Sequence, residues 1–168
     1  MMHRCATSGP IPAVRGGHRT GTLASARRSW EQGLMFSLHP RLAADTTLVS
    51  DLPLCAVRLM KDARVPWLIL VPRRADIREL HHLGTADRVQ LMEEIAQASG
   101  VLEALYHPDK LNVGALGNLV PQLHVHVLGR YRVDPAWPGP IWGSGPAIAY
   151  ADTRLTEELL RLRAAFGA

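Results

Sequence analysis

The residues best placed to do chemistry are two histidines, His124 and His126, in the segment 121–130. Polar and apolar residues alternate through this segment, which is typical of a β-strand with two different faces. Gln122 and both histidines point to one face, and the apolar residues between them point to the other, which suits a core. At ~3.3 Å per residue the two imidazoles would stand about 7 Å apart along the strand. We therefore expect both imidazoles side by side on the solvent or ligand side of a sheet.

Three interpretations of this histidine pair are open. The imidazoles can simply occupy a half-exposed sheet face. They can bind zinc, but zinc prefers at least a third protein ligand, and no Cys-x-x-Cys, His-x-x-x-His or Asp cluster follows the strand to supply one. Alternatively, an imidazole can attack phosphorus when a fixed acceptor holds its far nitrogen protonated. The resulting phosphoramidate is labile enough for water to cleave, so one hard displacement becomes two easier ones.

The residues around the pair favour phosphate chemistry. A Gly-Asn turn, Gly117 and Asn118, precedes the strand. Together they resemble the histidine triad (HIT) family of nucleotide hydrolases and transferases, whose motif is His-x-His-x-His followed by apolar residues. Here Gln122, His124 and His126 occupy the three places, so the first histidine of the motif is replaced by glutamine.

The resemblance extends beyond the motif. The segment 67–74 resembles the family's central apolar strand, which ends in Val-x-Pro and basic residues, so the likeness covers roughly residues 36–132. The tail 136–143, with Trp137 and Trp142, is similar to a bacterial branch of HIT-like proteins. These two tryptophans can either close over a base or a dimer partner, or pin a long loop to the sheet.

The resemblance implies a role for each residue of the motif. His124 would be the nucleophile on the α-phosphorus of a nucleotide, with its other nitrogen donating to a backbone carbonyl. His126 would hydrogen-bond a non-bridging phosphate oxygen and help to hold the developing charge. Gln122 completes the expected catalytic set, and the expected substrate-binding residues are Gly117, Asn118, Asn112 and Arg73.

The implied reaction is cleavage of a phosphoanhydride or phosphoramidate of a purine nucleotide, such as a diadenosine polyphosphate or an adenosine phosphoramidate, through a nucleotidyl-histidine intermediate. The resemblance also implies a homodimer and no obligatory metal or other cofactor. Two departures from the family pattern leave rival functions open. Gln122 does not titrate near neutral pH, and Ala75 falls about where many relatives carry a further histidine. The rivals are a nucleotide-binding protein without turnover and a metal-dependent hydrolase that uses His124 and His126.

Composition limits the other function classes. The net charge of +4 resides in residues 1–34, which hold five arginines against Glu31, whereas residues 35–168 contain 14 basic and 14 acidic residues. An extended nucleic-acid surface should show its charge on the folded domain, so we expect no nucleic-acid partner. No apolar run is long enough for a membrane span, and two cysteines, Cys5 and Cys55, do not make a disulfide framework. We expect a cytoplasmic enzyme.

The elements that must position the histidines predict an α+β fold. We expect residues 1–34 to be a disordered or non-native N-terminal extension and residues 35–168 to form one HIT-like domain. Its antiparallel sheet of about five strands would carry one long helix and a C-terminal helix on one face. The expected strands are 53–61, 66–71, 111–116 and 122–128, and the expected helices run from a Thr85 cap to about Tyr106 and from 153 to 166.

Overall fold

The computed structural model describes residues 35–168, and our expectation for residues 1–34 lies outside that range. A five-stranded antiparallel sheet organises the described residues and confirms the α+β class. Its strands lie side by side in the order β1-β2-β3-β5-β4. Their bounds are β1 Thr46–Asp51, β2 Cys55–Met60, β3 Trp67–Pro72, β4 Lys110–Gly114 and β5 Val125–Arg130.

Three α-helices accompany the sheet: α1 Pro40–Asp45, α2 Thr85–Tyr106 and α3 Asp152–Phe166. A 3-10 turn, Leu80–His82, precedes α2. As predicted, the long helix and the C-terminal helix pack on the same face of the sheet. Side chains of both helices join the core cluster on that face, which includes Leu70, Val125, Val127, Leu91, Leu102 and Leu162. No helix among the described residues is long and apolar enough to cross a membrane.

The opposite face of the sheet carries the histidines and a second, smaller core. Trp67, Ile69 and Val71 of β3 and Leu128 of β5 point to this face. They are covered by α1 and by the loop 131–151 after β5, whose Ile141 is completely buried. Both faces of β5 are therefore buried, and the strand that was expected to have an open polar face lies in the interior.

Some boundaries differ from the prediction for local reasons. Strand β1 and helix α1 were not predicted, because β1 carries few apolar residues and contains a register irregularity between Leu48 and Ser50. Helix α2 is capped by Gly84, with Thr85 as its first helical residue. Strand β5 begins at Val125, so Gln122 and His124 lie in the chain that leads into it.

Candidate active site

The two histidines lie at the start of strand β5, which is an interior strand of the sheet. In the sheet register His126 lies between Ile69 of β3 and Gly114 of β4. The ring centroids of His124 and His126 are 4.9 Å apart, and the two residues are only 7% and 9% exposed. The expected proximity is present, but the imidazoles face cavities within the protein rather than open solvent.

The backbone fixes the protonation of His124. Its Nδ1 lies 2.7 Å from the carbonyl oxygen of Gln122. Because a carbonyl oxygen only accepts hydrogen bonds, Nδ1 carries a proton, and in the neutral ring Nε2 then keeps its lone pair. An imidazole in this tautomer can attack an electrophile through Nε2 while the carbonyl stabilises the positive charge that forms on the ring.

Aromatic rings enclose His126. The indole Nε1 of Trp67 donates to His126 Nδ1 over 3.0 Å, and the Trp142 ring lies edge-on at a centroid distance of 5.7 Å. Gly114 makes room for Trp142, since a Cβ at that position would lie 3.2 Å from its ring. Burial, and secondly the neighbouring His124, lower the pKa of His126 to about 4. His126 is therefore neutral at physiological pH.

The larger of two cavities that meet at the histidines has a volume of about 600 Å³. Its walls are mainly apolar, and Arg41 and Arg64 at its edge pair with Asp45 and Asp62. This volume is in the range of pockets that hold drug-sized ligands. Residues that line it include His124, His126, Gly117, Asn118, Trp67, Ile69, Leu119, Ile141 and Trp142.

A smaller cavity of about 300 Å³ lies on the other side of His124. It shares His124, Leu116 and Gly117 with the larger cavity, and it is also lined by Ala115, Leu123 and the segment 78–81 around the 3-10 turn. The charged and titratable side chains that this segment contributes are Arg78, Glu79 and His81. The two cavities thus adjoin at His124, the larger one mainly apolar and the smaller one with charged side chains in its lining.

The Gln122 side chain does not line either cavity. Its Oε1 accepts from the backbone N–H of His39 over 2.9 Å, and its Nε2 donates to the carbonyl of Ser37 over 2.8 Å. We call these two bonds the Gln122 latch. The residue thus contributes to the site through its backbone carbonyl, which holds His124, while its side chain holds the segment that leads into α1.

We expected Arg73 and Asn112 to bind substrate, but the structure places neither side chain beside the histidines. Arg73 lies at the end of β3, where its guanidinium bonds Asp51 and the carbonyls of Leu52, Pro53 and Cys55. The Asn112 amide oxygen accepts from Arg130 Nη1 over 3.0 Å. These side chains stabilise the fold, and the basic residue that lines the smaller cavity beside His124 is Arg78.

A buried ion pair organises the loop that covers His126. The Arg130 guanidinium meets both carboxylate oxygens of Asp134 at 2.7 and 2.8 Å and also donates to the carbonyl of Gly139. It lies 5.9 Å from the Trp137 ring centroid, at cation–π distance. These contacts hold the start of the covering loop 131–151, and Trp142 of the same loop packs on His126. Both tryptophans therefore pin the loop to the sheet.

Sequence reasoning missed Trp67, Arg78 and His81. Trp67 lies in a strand that is apolar throughout, so its contact with His126 depends on the register of β3 against β5. His81 is exposed, but it also lines the smaller cavity. Among residues 35–168, no group of three His, Cys, Asp or Glu side chains is arranged to hold a metal ion.

Comparisons with known proteins place this geometry in context. The HIT domain family model matches residues 41–133. A crystal structure of a histidine triad protein from Bradyrhizobium japonicum is 46% identical, with a TM-score of 0.76, and the match covers 78% of this chain and 98% of that one. A histidine triad protein from Marinobacter aquaeolei VT8 is 44% identical, with a TM-score of 0.77 over 79% of this chain and 97% of its own. A comparison with curated proteins returned no match.

Proposed function

The chain belongs to the HIT domain family, and on that premise we propose that it is a nucleotide hydrolase or transferase. Its substrate would be a purine nucleotide with a phosphoanhydride or phosphoramidate bond at the α-phosphorus, cleaved through a nucleotidyl-histidine intermediate. The observation that carries the proposal is the 2.7 Å contact between His124 Nδ1 and the Gln122 carbonyl, which leaves a nucleophilic Nε2 at the junction of two cavities.

The proposed reaction has two displacements at phosphorus. In the first, the Nε2 lone pair of His124 forms a bond to the α-phosphorus, and the bond to the leaving group breaks with its electrons going to that group. In the second, a water oxygen attacks the same phosphorus, the N–P bond breaks, and its electrons return to Nε2. The water proton leaves with the nucleoside monophosphate or with solvent. An acceptor other than water would make the same enzyme a transferase.

The two cavities suggest how the substrate lies. The apolar walls of the larger cavity, among them Ile69 and Leu119, suit a purine and its ribose. The scissile phosphorus would lie beside Gly117 and His124, where the cavities meet. The leaving group would then occupy the smaller cavity, near Arg78 and His81. An arginine there can pair with a phosphate of a leaving nucleotide.

The test is incubation of the purified protein with adenosine 5′-phosphoramidate and with diadenosine triphosphate, followed by chromatography of the products. We expect AMP from both substrates. Binding of AMP without release of AMP from either substrate would favour the non-catalytic rival. Turnover that is lost with a chelator and restored by added zinc would favour the metal-dependent rival.

We further propose that the protein works as a cytoplasmic homodimer. Strand β4 is paired on one side only within residues 35–168, and Val113, Leu116 and Leu119 on or after it are exposed apolar side chains. An open strand edge with apolar neighbours can pair with the same edge of a second copy. The buried free thiol of Cys55 is consistent with a reducing compartment, which fractionation of cells would test.

Sedimentation analysis should therefore give twice the mass of one chain. Replacing Val113 with Lys should shift the protein toward the monomer, because it puts a charge at the proposed contact. Replacing Val133 with Lys is the matched control, since Val133 is exposed on the loop after β5. A monomeric wild type at micromolar concentration would contradict the dimer.

Loss of the Gln122 latch should lower activity more than stability. Gln122→Ala keeps the backbone carbonyl that holds His124 but removes both bonds to Ser37 and His39. We expect kcat to fall by about tenfold, because a small displacement of a catalytic group is costly, with little change in melting temperature. Gln122→Glu keeps the acceptor for His39 but sets a second acceptor against the Ser37 carbonyl, so it should also lose activity. Equal kcat in all three proteins would show that the latch does not position His124.

A further inference from the structure

The contact between Trp67 and His126 links two neighbouring strands on the cavity face of the sheet. The indole Nε1 lies 3.0 Å from His126 Nδ1, and Trp67 is only 4% exposed. The ring centroids are 5.6 Å apart with a tilt of 58°, as expected for a hydrogen bond between ring edges rather than for stacked rings. Water cannot readily replace the indole as partner of this nitrogen.

The chemistry of the two rings decides where the proton is. An indole N–H only donates, so the nitrogen that faces it must offer a lone pair. A neutral imidazole with a lone pair on Nδ1 carries its proton on Nε2. We propose that Trp67 is a positioning residue that holds His126 in the Nε2–H tautomer, so that His126 donates a hydrogen bond to the phosphoryl group and does not release a proton to the leaving group. This inference rests on the proposed function.

The surroundings keep His126 neutral as well as oriented. Protonation would place a second N–H opposite the indole N–H and break the bond between them. Burial first, and the electrostatic effect of the neighbouring His124 second, lower the pKa of His126 to about 4. The carboxylates that line the same cavity, Asp45 and Asp62, are each paired with an arginine and so offer little to attract a proton to the ring. His126 therefore remains uncharged from neutral pH down to well below the ordinary histidine value.

The two histidines consequently have complementary tautomers. His124 offers a lone pair on Nε2 because the Gln122 carbonyl takes its Nδ1–H, and His126 offers an Nε2–H because Trp67 fills its Nδ1. When the bond from His124 to phosphorus forms, the positive charge on that ring disfavours protonation of His126 further. The Gln122 amide is turned away toward Ser37 and His39 and cannot protonate a leaving group either. The arrangement favours leaving groups that depart as stable anions, such as nucleoside diphosphates, over amines.

Nitrogen-15 NMR of the imidazole rings in the resting protein tests the tautomer without any need for turnover. In the wild type we expect His126 as the Nε2–H tautomer and His124 as the Nδ1–H tautomer, with His126 still neutral at pH 5. In Trp67→Phe we expect a mixture of His126 tautomers and a rise in its pKa of about one unit, because the bond that favoured the neutral ring is gone. An Nδ1–H tautomer of His126 in the wild type would overturn the proposal.

Trp142→Phe is the matched control. Its indole also touches His126, but the Trp142 Nε1 is buried without a hydrogen-bond partner among residues 35–168. This variant should leave the tautomer and pKa of His126 unchanged, and equal effects of both substitutions would contradict the proposal. In the active enzyme, Trp67→Phe should lower kcat by about tenfold with little change in KM, since a hydrogen bond to the transition state is misaligned. A wild type that shows the expected tautomers but turns over no nucleotide would reject the proposed function, whereas the wrong tautomer in an active enzyme would reject only the role of Trp67.

Discussion

His124→Asn should reduce nucleotide hydrolysis by about 10⁴-fold or more, because it removes the atom that forms the bond to phosphorus. Asparagine is close in size to the near half of the imidazole, so the site should remain folded. Quenched-reaction mass spectrometry of the wild type should find a nucleotide attached to the peptide that contains His124, and the variant should have no such adduct. Substrate binding should persist, since the apolar walls of the larger cavity are unchanged.

Two other histidine substitutions separate this effect from a general loss of imidazole. His126→Ala should cost about 10²-fold, because it removes a hydrogen bond to the phosphoryl oxygens but leaves the nucleophile. His82→Asn should have no effect on turnover, since His82 is exposed and lines neither of the two cavities at the histidines. Full activity in His124→Asn, or an adduct on another residue, would reject the proposed mechanism.

The largest effect on stability should come from Asp134→Ala. The substitution leaves the Arg130 guanidinium, whose side chain is 2% exposed, without its carboxylate partner. Breaking a buried ion pair by removing one partner typically costs about 3–5 kcal/mol of unfolding free energy. Asp134 also accepts from the backbone N–H groups of Tyr131 and Ala136, so the loop should loosen at its start. The midpoint of urea unfolding measures the loss.

Arg41→Ala is the control for that comparison. The Arg41–Asp45 pair is 3.4 Å apart with both side chains about half exposed, and such surface pairs contribute about 0–1 kcal/mol.

The contribution of Asp134 to the free energy of unfolding depends on pH in a defined direction. Arg130 holds the pKa of Asp134 below its ordinary 3.8, so the stabilisation is complete above that pH and is lost as pH falls through the folded value. The difference between wild type and Asp134→Ala should therefore shrink in strong acid, and a difference that grew there would contradict this origin.

Local sequence pattern predicted the parts of the fold that depend on periodicity. The alternation around His124 and His126 correctly predicted that both histidines lie on one side of the sheet, and the apolar stripes predicted helices α2 and α3. Strand β1 was not predicted because it takes its order from pairing with β2 rather than from its own composition. The burial of the histidines also could not be predicted, since it depends on contacts between distant parts of the chain, such as Trp142 of the covering loop with His126.

The sequence predicted the parts of the site that lie within one segment. It did not predict contacts that depend on the register between strands or on the direction in which a side chain points. Gly117, Asn118 and both histidines lie together as the motif implies. Arg73 directly follows β3, as expected, but its side chain turns toward Asp51 and not toward the histidines. The contact of Trp67 with His126 could not be predicted, because only the pairing of β3 with β5 brings the two side chains together.

The Gln122 latch has a practical consequence for work on shortened forms of this protein. The HIT family match begins at residue 41, which is after both latch partners, Ser37 and His39, and it ends at 133, before Trp142. A fragment cut to those limits would keep every strand of the sheet. It would lose the anchor of the residue that orients the nucleophile and the lid over His126. Such a fragment would also lack Asp134, the buried partner of Arg130, and helix α3, so it should be destabilised as well as inert, and a negative assay on it would say nothing about the enzyme. The smallest informative fragment starts no later than Ser37 and retains helix α3 through Phe166, because Leu162 of that helix is completely buried in the core.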